Sequence, residues 1–349
     1  MQAAVYHGRE QVRVEEVPVP EAGPGEVLVR VAACGVCATD IKKIQHGLQT
    51  PPRIYGHETA GTIAAVGAGV RNWRVGDRVA VYHHVPCRQC HFCQRGSFAQ
   101  CATYKRTGAT AGFEPAGGGF AEFVRVMDWV VAGGGLARVP AGVSLEEATF
   151  LEPVNTCLKA VRRARIQPGD TVVVCGLGAI GLLLTQLARR EGARVLAADP
   201  IAERRRRALS LGAEAAADPF SEELGGAVRA LSEGRGADAA LLAAPGAAVI
   251  TQALQLVRAG GTVLLFAHTR LGEAVEVDAG SICAEEKDLI GSYSSSIELN
   301  AEVERIVFDR EIEVRSLITH RYPLRQTPEA IARAASPSGD SLKVLVVVD

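Results

Sequence analysis

Two rhythms divide the chain. Over residues 1–145, VEEVPVP, EVLVRVAACGVC and TAGTIAAVGAGVRNWRVGDRVAVY alternate or run briefly apolar, turning at Gly67, Gly69 and Gly76-Asp77. Short segments of this kind, punctuated by Pro and Gly, predict strands and hairpins. Many in succession predict a small barrel-like β domain. Near residue 146 the pattern changes. TVVVC is a continuous apolar run, as in a strand covered on both faces. Ile180, Leu183, Leu184 and Leu187 then recur at helical spacing, Gly192 fits a helix stop, and RVLAAD fits a second buried strand. The crossover between these strands requires them to be parallel. The alternation continues with a helix near 202–211, AEAAAD, a helix near 221–233, ADAALLAA, a helix near 247–258 and GGTVLLFA. Together these predict a doubly wound α/β domain of about 140 residues. After Gly291 the rhythm loosens, and the chain ends on another strong strand, SLKVLVVVD. The expected organisation is a β-rich domain of residues 1–152 and 292–349, with residues 153–291 inserted as the α/β domain. No internal repeat or low-complexity linker interrupts it.

Composition narrows the class. A chain of 349 residues suggests about two cores. Hydrophobic residues make up 48% and charged residues 22%, as in soluble globular proteins. A net charge of −1 gives no basic field toward nucleic acid or an anionic membrane, so neither is expected as a partner. No apolar run of about 18 residues predicts a membrane span. MQAAVYHGRE carries no export signal, so a cytoplasmic protein is expected. Disulfides are then not expected among the nine cysteines, and dense short spacing points to metal. Cys157, Cys175 and Cys283 read as small buried hydrophobes.

Gly176-Leu177-Gly178-Ala179-Ile180-Gly181 is a G-x-G-x-x-G run. Thirty-seven glycines make chance matches easy, but this one follows a buried strand and opens a helix, the context that gives it meaning. Gly176 permits the tight turn, Gly178 lets backbone approach a pyrophosphate, and Gly181 allows close helix–strand packing. The helix N-terminus offers free N–H groups to the phosphates. Asp199 ends the second strand, 18 residues after Gly181. A carboxylate there accepts from both adenosine ribose hydroxyls and repels a 2′-phosphate, favouring NAD over NADP. The run Arg204-Arg205-Arg206-Arg207 reads mainly as a solvated helix face, although Arg204 could reach the adenine ribose region.

Two stretches suggest metal. Cys87, Cys90, Cys93 and Cys101 are spaced C-x2-C-x2-C-x7-C. Four thiolates close a tetrahedral zinc and leave no position for substrate, so this lobe reads as structural. Cys37-Ala38-Thr39-Asp40 and, 20 residues beyond Cys37, His57-Glu58 offer a thiolate, an imidazole and a carboxylate, a mixed set suited to zinc. Cys37 could equally pair with Cys34 in a C-x2-C. Glu152-Pro153 lies at the inferred domain join, where a carboxylate could serve an interdomain site or simply begin a helix.

GVCATD, GHETAG, the V-G-D-R-V of residues 75–79, the four-cysteine lobe, LEP at 151–153 and VVVCGLGAIG together resemble the zinc-dependent medium-chain dehydrogenases, the superfamily of alcohol, sorbitol and threonine dehydrogenases. The resemblance spans essentially the whole chain. It implies a GroES-like β-rich catalytic domain beside a Rossmann domain, two zinc ions per chain, and a homotetramer or homodimer. Cys37, His57 and Glu58 match the catalytic zinc site. Glu152 stands where alcohol dehydrogenases place a second cysteine ligand, as in the sorbitol and threonine branch, to ligate zinc or hold its water. Thr39 matches the hydroxyl that relays the substrate proton, and Asp40 the acid that orients the metal-site histidine. Cys87, Cys90, Cys93 and Cys101 match the structural zinc. Gly176, Gly178, Ile180, Gly181, Asp199 and Arg204 match cofactor positions, with Phe266 and Ser292-Tyr293 lining the nicotinamide side.

Two departures stand out. Lys42 replaces a histidine at the outer end of the proton relay, so proton exit is expected through Lys42, His46 or water. A substrate-region histidine of the threonine branch has no evident counterpart. The resemblance thus implies zinc-assisted hydride transfer from a secondary alcohol on a polyol, sugar alcohol or cyclitol to NAD. Simple alcohols and an amino-alcohol such as threonine are the alternatives. A non-catalytic zinc module is the rival of a different class. Its basic and aromatic residues would be Arg88, Arg95, Lys105 and Arg106 with Phe92 and Phe98.

Overall fold

The computed structural model describes residues 1–348 except 106–108, 114–116, 222, 268–271 and 337. The chain forms two compact units. The first comprises Met1–Asn155, Ser295–Pro337 and Ser341–Asp349; the second comprises Thr156–Ser294 and Ser338–Asp340.

The first unit is a curled, mainly antiparallel sheet system. Its central strands run in the order Ile318–Pro323, Lys343–Val347, Val27–Gly35, Glu58–Val66, Arg78–Val81, Leu136–Arg138. Every pairing on this path is antiparallel except the one between Ile318–Pro323 and Lys343–Val347. The chain's last strand thus closes against Val27–Gly35, one of its earliest, with Leu345 opposite Gly35. Val27, Val29, Val31, Ile63, Val79, Phe120, Val344 and Val346 fill the interior. Alternation explains this core: inward positions are apolar, while Arg30 and Arg78 face outward. The cysteine lobe has a small cluster of its own, Cys93, Phe98, Ala99, Cys101 and Tyr104.

In the second unit, strands Thr171–Cys175, Arg194–Ala198, Ala215–Ala217, Ala237–Leu242, Val257–Leu265 and Asp288–Gly291 pair in parallel. Numbered along the chain, their spatial order is 3-2-1-4-5-6, the doubly wound arrangement. The order reverses beside Thr171–Cys175, and the strand's carboxyl end leads straight into the glycine run. Every residue of TVVVC is buried, as a strand covered on both faces requires. The helices Ala202–Ser210, Glu223–Leu231 and Ala247–Leu256 lie where the periodicity predicts them. Ser338–Asp340 packs here, with Gly339 against Ile201 and Glu203.

Cys157 and Cys175 are buried, but Cys283 is exposed. The expectation for Cys283 is therefore corrected. It lies on a short helix, Ala279–Ala284, none of whose residues is buried. Among the described residues, no helix is long and apolar enough to cross a membrane.

Candidate metal and dinucleotide sites

Helix Ala38–His46 begins at Cys37, which serves as its N-cap. The Cys37 Sγ accepts the Thr39 N–H at 3.5 Å, and Asp40 Oδ2 accepts the Cys37 N–H at 3.3 Å. This reciprocal capping box satisfies two of the helix's free donors. It also fixes Asp40, whose other oxygen, Oδ1, lies 3.1 Å from His57 Nδ1. With Nδ1 engaged, His57 has Nε2 left for a ligand, the carboxylate–histidine arrangement typical behind metal sites. Gly56, at φ +100°, sets the approach: a Cβ there would lie 2.8 Å from both Cys34 Sγ and Phe120 N. No other residue fits that turn, so GHE enters its strand with His57 beside the helix start.

Ligand atoms of Cys37, His57 and Glu58 lie within 4.8 Å of one another. Glu58 is buried and ion-paired with Lys343, whose Nζ also donates to the Val36 carbonyl at 3.3 Å. Glu152 is not in this trio. It is buried with Oε1 3.7 Å from His84 Nδ1. Cys34 also stands apart, its buried Sγ 3.4 Å from Thr59 Oγ1.

The trio's surroundings favour a cation. Burial alone would depress the His57 pKa, but the Asp40 and Cys37 charges outweigh it and hold the proton well above the usual range. Burial pushes Glu152 up to about 7, with His57 opposing and Glu58 adding to the rise. The His57 shift reports the negative charge that Asp40 and Cys37 place around the ring, and a divalent ion can take the place of that proton. Lys42 lies one turn along the helix, and burial draws its ammonium below the ordinary value against the Cys37 charge.

The four sulfurs of Cys87, Cys90, Cys93 and Cys101 also cluster within 4.8 Å. Cys90–Cys93, Cys87–Cys101 and Cys87–Cys93 are separated by 3.5, 3.6 and 4.0 Å. A tetrahedron with zinc–sulfur bonds of about 2.3 Å has edges of about 3.8 Å, so the residues fit zinc. All four thiols are free of disulfides.

In the second unit, the glycine run turns from Cys175 into helix Ala179–Arg190. Gly176 has φ +90°, and a Cβ on Gly181 would fall 1.7 Å from the Gly176 carbonyl oxygen. A Cβ on Gly178 would meet no atom within 4 Å. The chain thus leaves open space at the residue where backbone should approach a pyrophosphate, and these residues fit a dinucleotide. Asp199 is buried and bound to the loop: Oδ2 accepts the Leu177 N–H at 2.7 Å and Oδ1 the Ile201 N–H at 2.8 Å. Arg204 Nη1 lies 3.7 Å from Asp199 Oδ2. Phe266 and Ser292 follow the carboxyl ends of their strands, their N–H groups donating to Leu242 and Leu265. The Ser292 Oγ is buried without a partner among the described residues. Tyr293 is half exposed, and its carbonyl accepts from Lys159 Nζ at 2.8 Å.

Sequence reasoning missed three residues near the trio. His83 packs edge-on against His57, with ring centroids 5.2 Å apart. His84 stacks on Tyr104, and its Nδ1 lies 3.0 Å from Ser295 Oγ. Lys343 is the partner of Glu58. The signals were present: a His-His pair closing the strand of V-G-D-R-V, and one lysine inside an apolar terminal strand.

The family model for the alcohol dehydrogenase GroES-like domain matches residues 23–133, and that for the zinc-binding dehydrogenase domain matches 179–309. A sorbitol dehydrogenase of Bacillus subtilis is 30% identical over 353 residues, covering 99% of this chain and 97% of its own. An L-threonine 3-dehydrogenase of Pyrococcus furiosus is 35% identical over 256 residues, covering 72% of this chain and 70% of its own. A zinc-binding dehydrogenase of Sinorhizobium meliloti, solved with NADP bound, superposes with a TM-score of 0.90 at 31% identity, covering 99% of this chain and 98% of its own. The chain belongs to the zinc-dependent medium-chain alcohol dehydrogenase superfamily.

Proposed function

We propose that this chain, an NAD(P)-dependent alcohol oxidoreductase by family, oxidises a secondary alcohol on a polyol, sugar alcohol or cyclitol reversibly to the ketone. It uses NAD and a zinc ion held by Cys37, His57 and Glu58. The observation that carries the reading is the mixed donor trio, with His57 oriented through Nδ1 by Asp40. Zinc bound there supplies Lewis acidity that lowers the pKa of an alcohol hydroxyl.

The chain's own residues do the rest. Asp40 engages His57 through Nδ1, which would leave Nε2 to hold the metal. Lys343 balances the buried Glu58 charge. Glu152, beside His84, is a second carboxylate for the metal or its water. Thr39, in the first turn after Cys37, presents a hydroxyl to take the substrate proton outward, toward Lys42, His46 or water. Cys87, Cys90, Cys93 and Cys101 hold a second zinc and pin a lobe with little core of its own. The glycine run seats the pyrophosphate, and the Asp199 carboxylate disfavours a 2′-phosphate. A polyol is preferred because the trio contains a carboxylate and because relatives spanning this chain act on sorbitol.

The test is metal analysis beside a screen of NAD and NADP reduction over polyols, sugar alcohols, threonine and simple alcohols. About two zinc per chain and NAD-linked oxidation of a polyol are expected. Full activity in metal-depleted protein would sink the zinc assignment, and preference for NADP would overturn the role given to Asp199.

A further inference from the structure

The stretch Tyr82-His83-His84 leaves the strand Arg78–Val81 and runs beneath the metal trio. Its two histidines are placed very differently. His84 is buried and occupied: it stacks on Tyr104, with its Nδ1 at Ser295 Oγ and Glu152 Oε1 also near. Asn155 fixes that serine's neighbourhood, its side chain bonded to both the N–H and the carbonyl of Ser296.

His83 is held between the two other imidazoles. Its ring centroid lies 5.2 Å from that of His57 and 3.4 Å from that of His84. The ring is also within hydrogen-bond range of the His57 main chain. Yet its Nδ1 is shut off from water and has no partner among the described residues. A buried polar nitrogen is costly to leave bare, and native proteins seldom do so. Here the bare nitrogen belongs to a ring packed on a residue of the metal trio. A group arriving with the substrate is the natural partner.

We propose that His83 Nδ1 hydrogen-bonds a second hydroxyl of the substrate, vicinal to the carbinol being oxidised, and selects diols and polyols over mono-alcohols. The inference rests on the dehydrogenase reading above and names the group that would give it its substrate class. An imidazole nitrogen accepts or donates according to tautomer, and a hydroxyl does either. A mono-alcohol would leave the nitrogen unpaired. Sites built to bond a substrate hydroxyl discriminate against the analogue lacking it much more strongly than apolar pockets sort methylenes.

The test compares zinc-loaded wild type and His83→Phe in NAD reduction with paired substrates: propylene glycol against isopropanol, and vicinal butanediol against sec-butanol. Wild type should favour each diol. His83→Phe should lower the diol-to-mono-alcohol ratio of kcat/KM by about 10- to 100-fold. His83→Asn, which keeps a polar group, should retain part of the ratio and serves if phenylalanine is not tolerated. Two controls separate selection from support. Zinc content should remain at two per chain, and the substrate-free protein should stay folded with at most a small drop in thermal stability, since Nδ1 has no partner among the described residues and only the ring's bond to the His57 main chain is lost. An unchanged ratio, a parallel loss for diol and mono-alcohol, or loss of one zinc would each overturn the proposal while leaving the dehydrogenase reading intact. A wild type that oxidises no alcohol in either pair or in the wider screen would refute that reading, and this inference with it.

Discussion

Lys343→Met is the sharpest test of how the candidate site is held together. Lys343 is 5% exposed and Glu58 is 1% exposed. The lysine sits in the terminal strand Lys343–Val347, where the main-chain bond from Val36 N–H to the Val344 carbonyl locks the register. Burial would strip its proton, but the charge of Glu58 holds its pKa above the ordinary value. Removing the lysine from metal-free protein strands the Glu58 carboxylate in the interior. Breaking one side of a buried pair costs about 3–5 kcal/mol, whereas replacing both sides with neutral groups is often near neutral. Lys343→Met and Glu58→Gln should therefore each cost about 3–5 kcal/mol, and the double variant should recover most of that loss.

The assay is urea unfolding of metal-free protein followed by tryptophan fluorescence. Both tryptophans, Trp73 and Trp129, lie in the unit that contains the pair, so the signal reports that unit alone. Zinc should shrink the Lys343→Met penalty, because a cation on Glu58 replaces the missing ammonium. A single-variant cost below about 1 kcal/mol, or a double variant as unstable as the sum of the singles, would refute the reasoning.

Four further outcomes follow. Gly178→Ala should leave stability unchanged and weaken NAD about tenfold or more, since its Cβ meets only open space. Gly181→Ala should cost about 1–3 kcal/mol, since its Cβ meets the Gly176 carbonyl. Circular dichroism and cofactor titration separate the two, and wild-type NAD affinity in Gly178→Ala would refute the cradle. Cys90→Ser should release one zinc per chain and expose the lobe to proteolysis while diol preference persists; retention of both zincs argues against four-sulfur coordination. Burial, with Arg163 adding, pulls Lys159 down from 10.5 to about 8. Between those values the unfolded chain binds more protons, so stability rises with pH there, and below about 8 the penalty is constant. The side chain is partly exposed, so a contribution of about 1–2 kcal/mol is expected. Lys159→Met should flatten the rise in unfolding curves between pH 8 and 10; an unaltered slope would contradict the assignment.

Much of the fold is legible because periodicity registers burial directly. TVVVC reads as a two-sided strand and is one, with all five residues buried. Helix Ala247–Leu256 and strand Ala237–Leu242 follow from the same rule. Cys283 fails because residue type was used where pattern was needed. A cysteine is usually buried, but the surrounding AGSICA carries no apolar stripe that would bury a helix face. Composition states a tendency, whereas periodicity states which side faces the core.

The site divides along a similar line. Cys37, His57 and Glu58 are legible because each stands in a local motif whose geometry is set within a few residues: the capping box at Cys37 and Asp40, and the Gly56 turn before His57. Lys343 and His83 are not, because their meaning comes from pairing across the sheet. Lys343 reaches Glu58 only after the chain's last strand has joined Val27–Gly35, a contact over nearly the full sequence. Each does leave a trace. A lysine in SLKVLVVVD violates the apolar pattern of a central strand, and a buried charge must have a partner. Such a violation identifies that a partner exists without naming it. In this chain the partner is Glu58, a carboxylate of the candidate metal trio, so the residue that most offends the strand pattern is the one that ties the terminal strand to the candidate site.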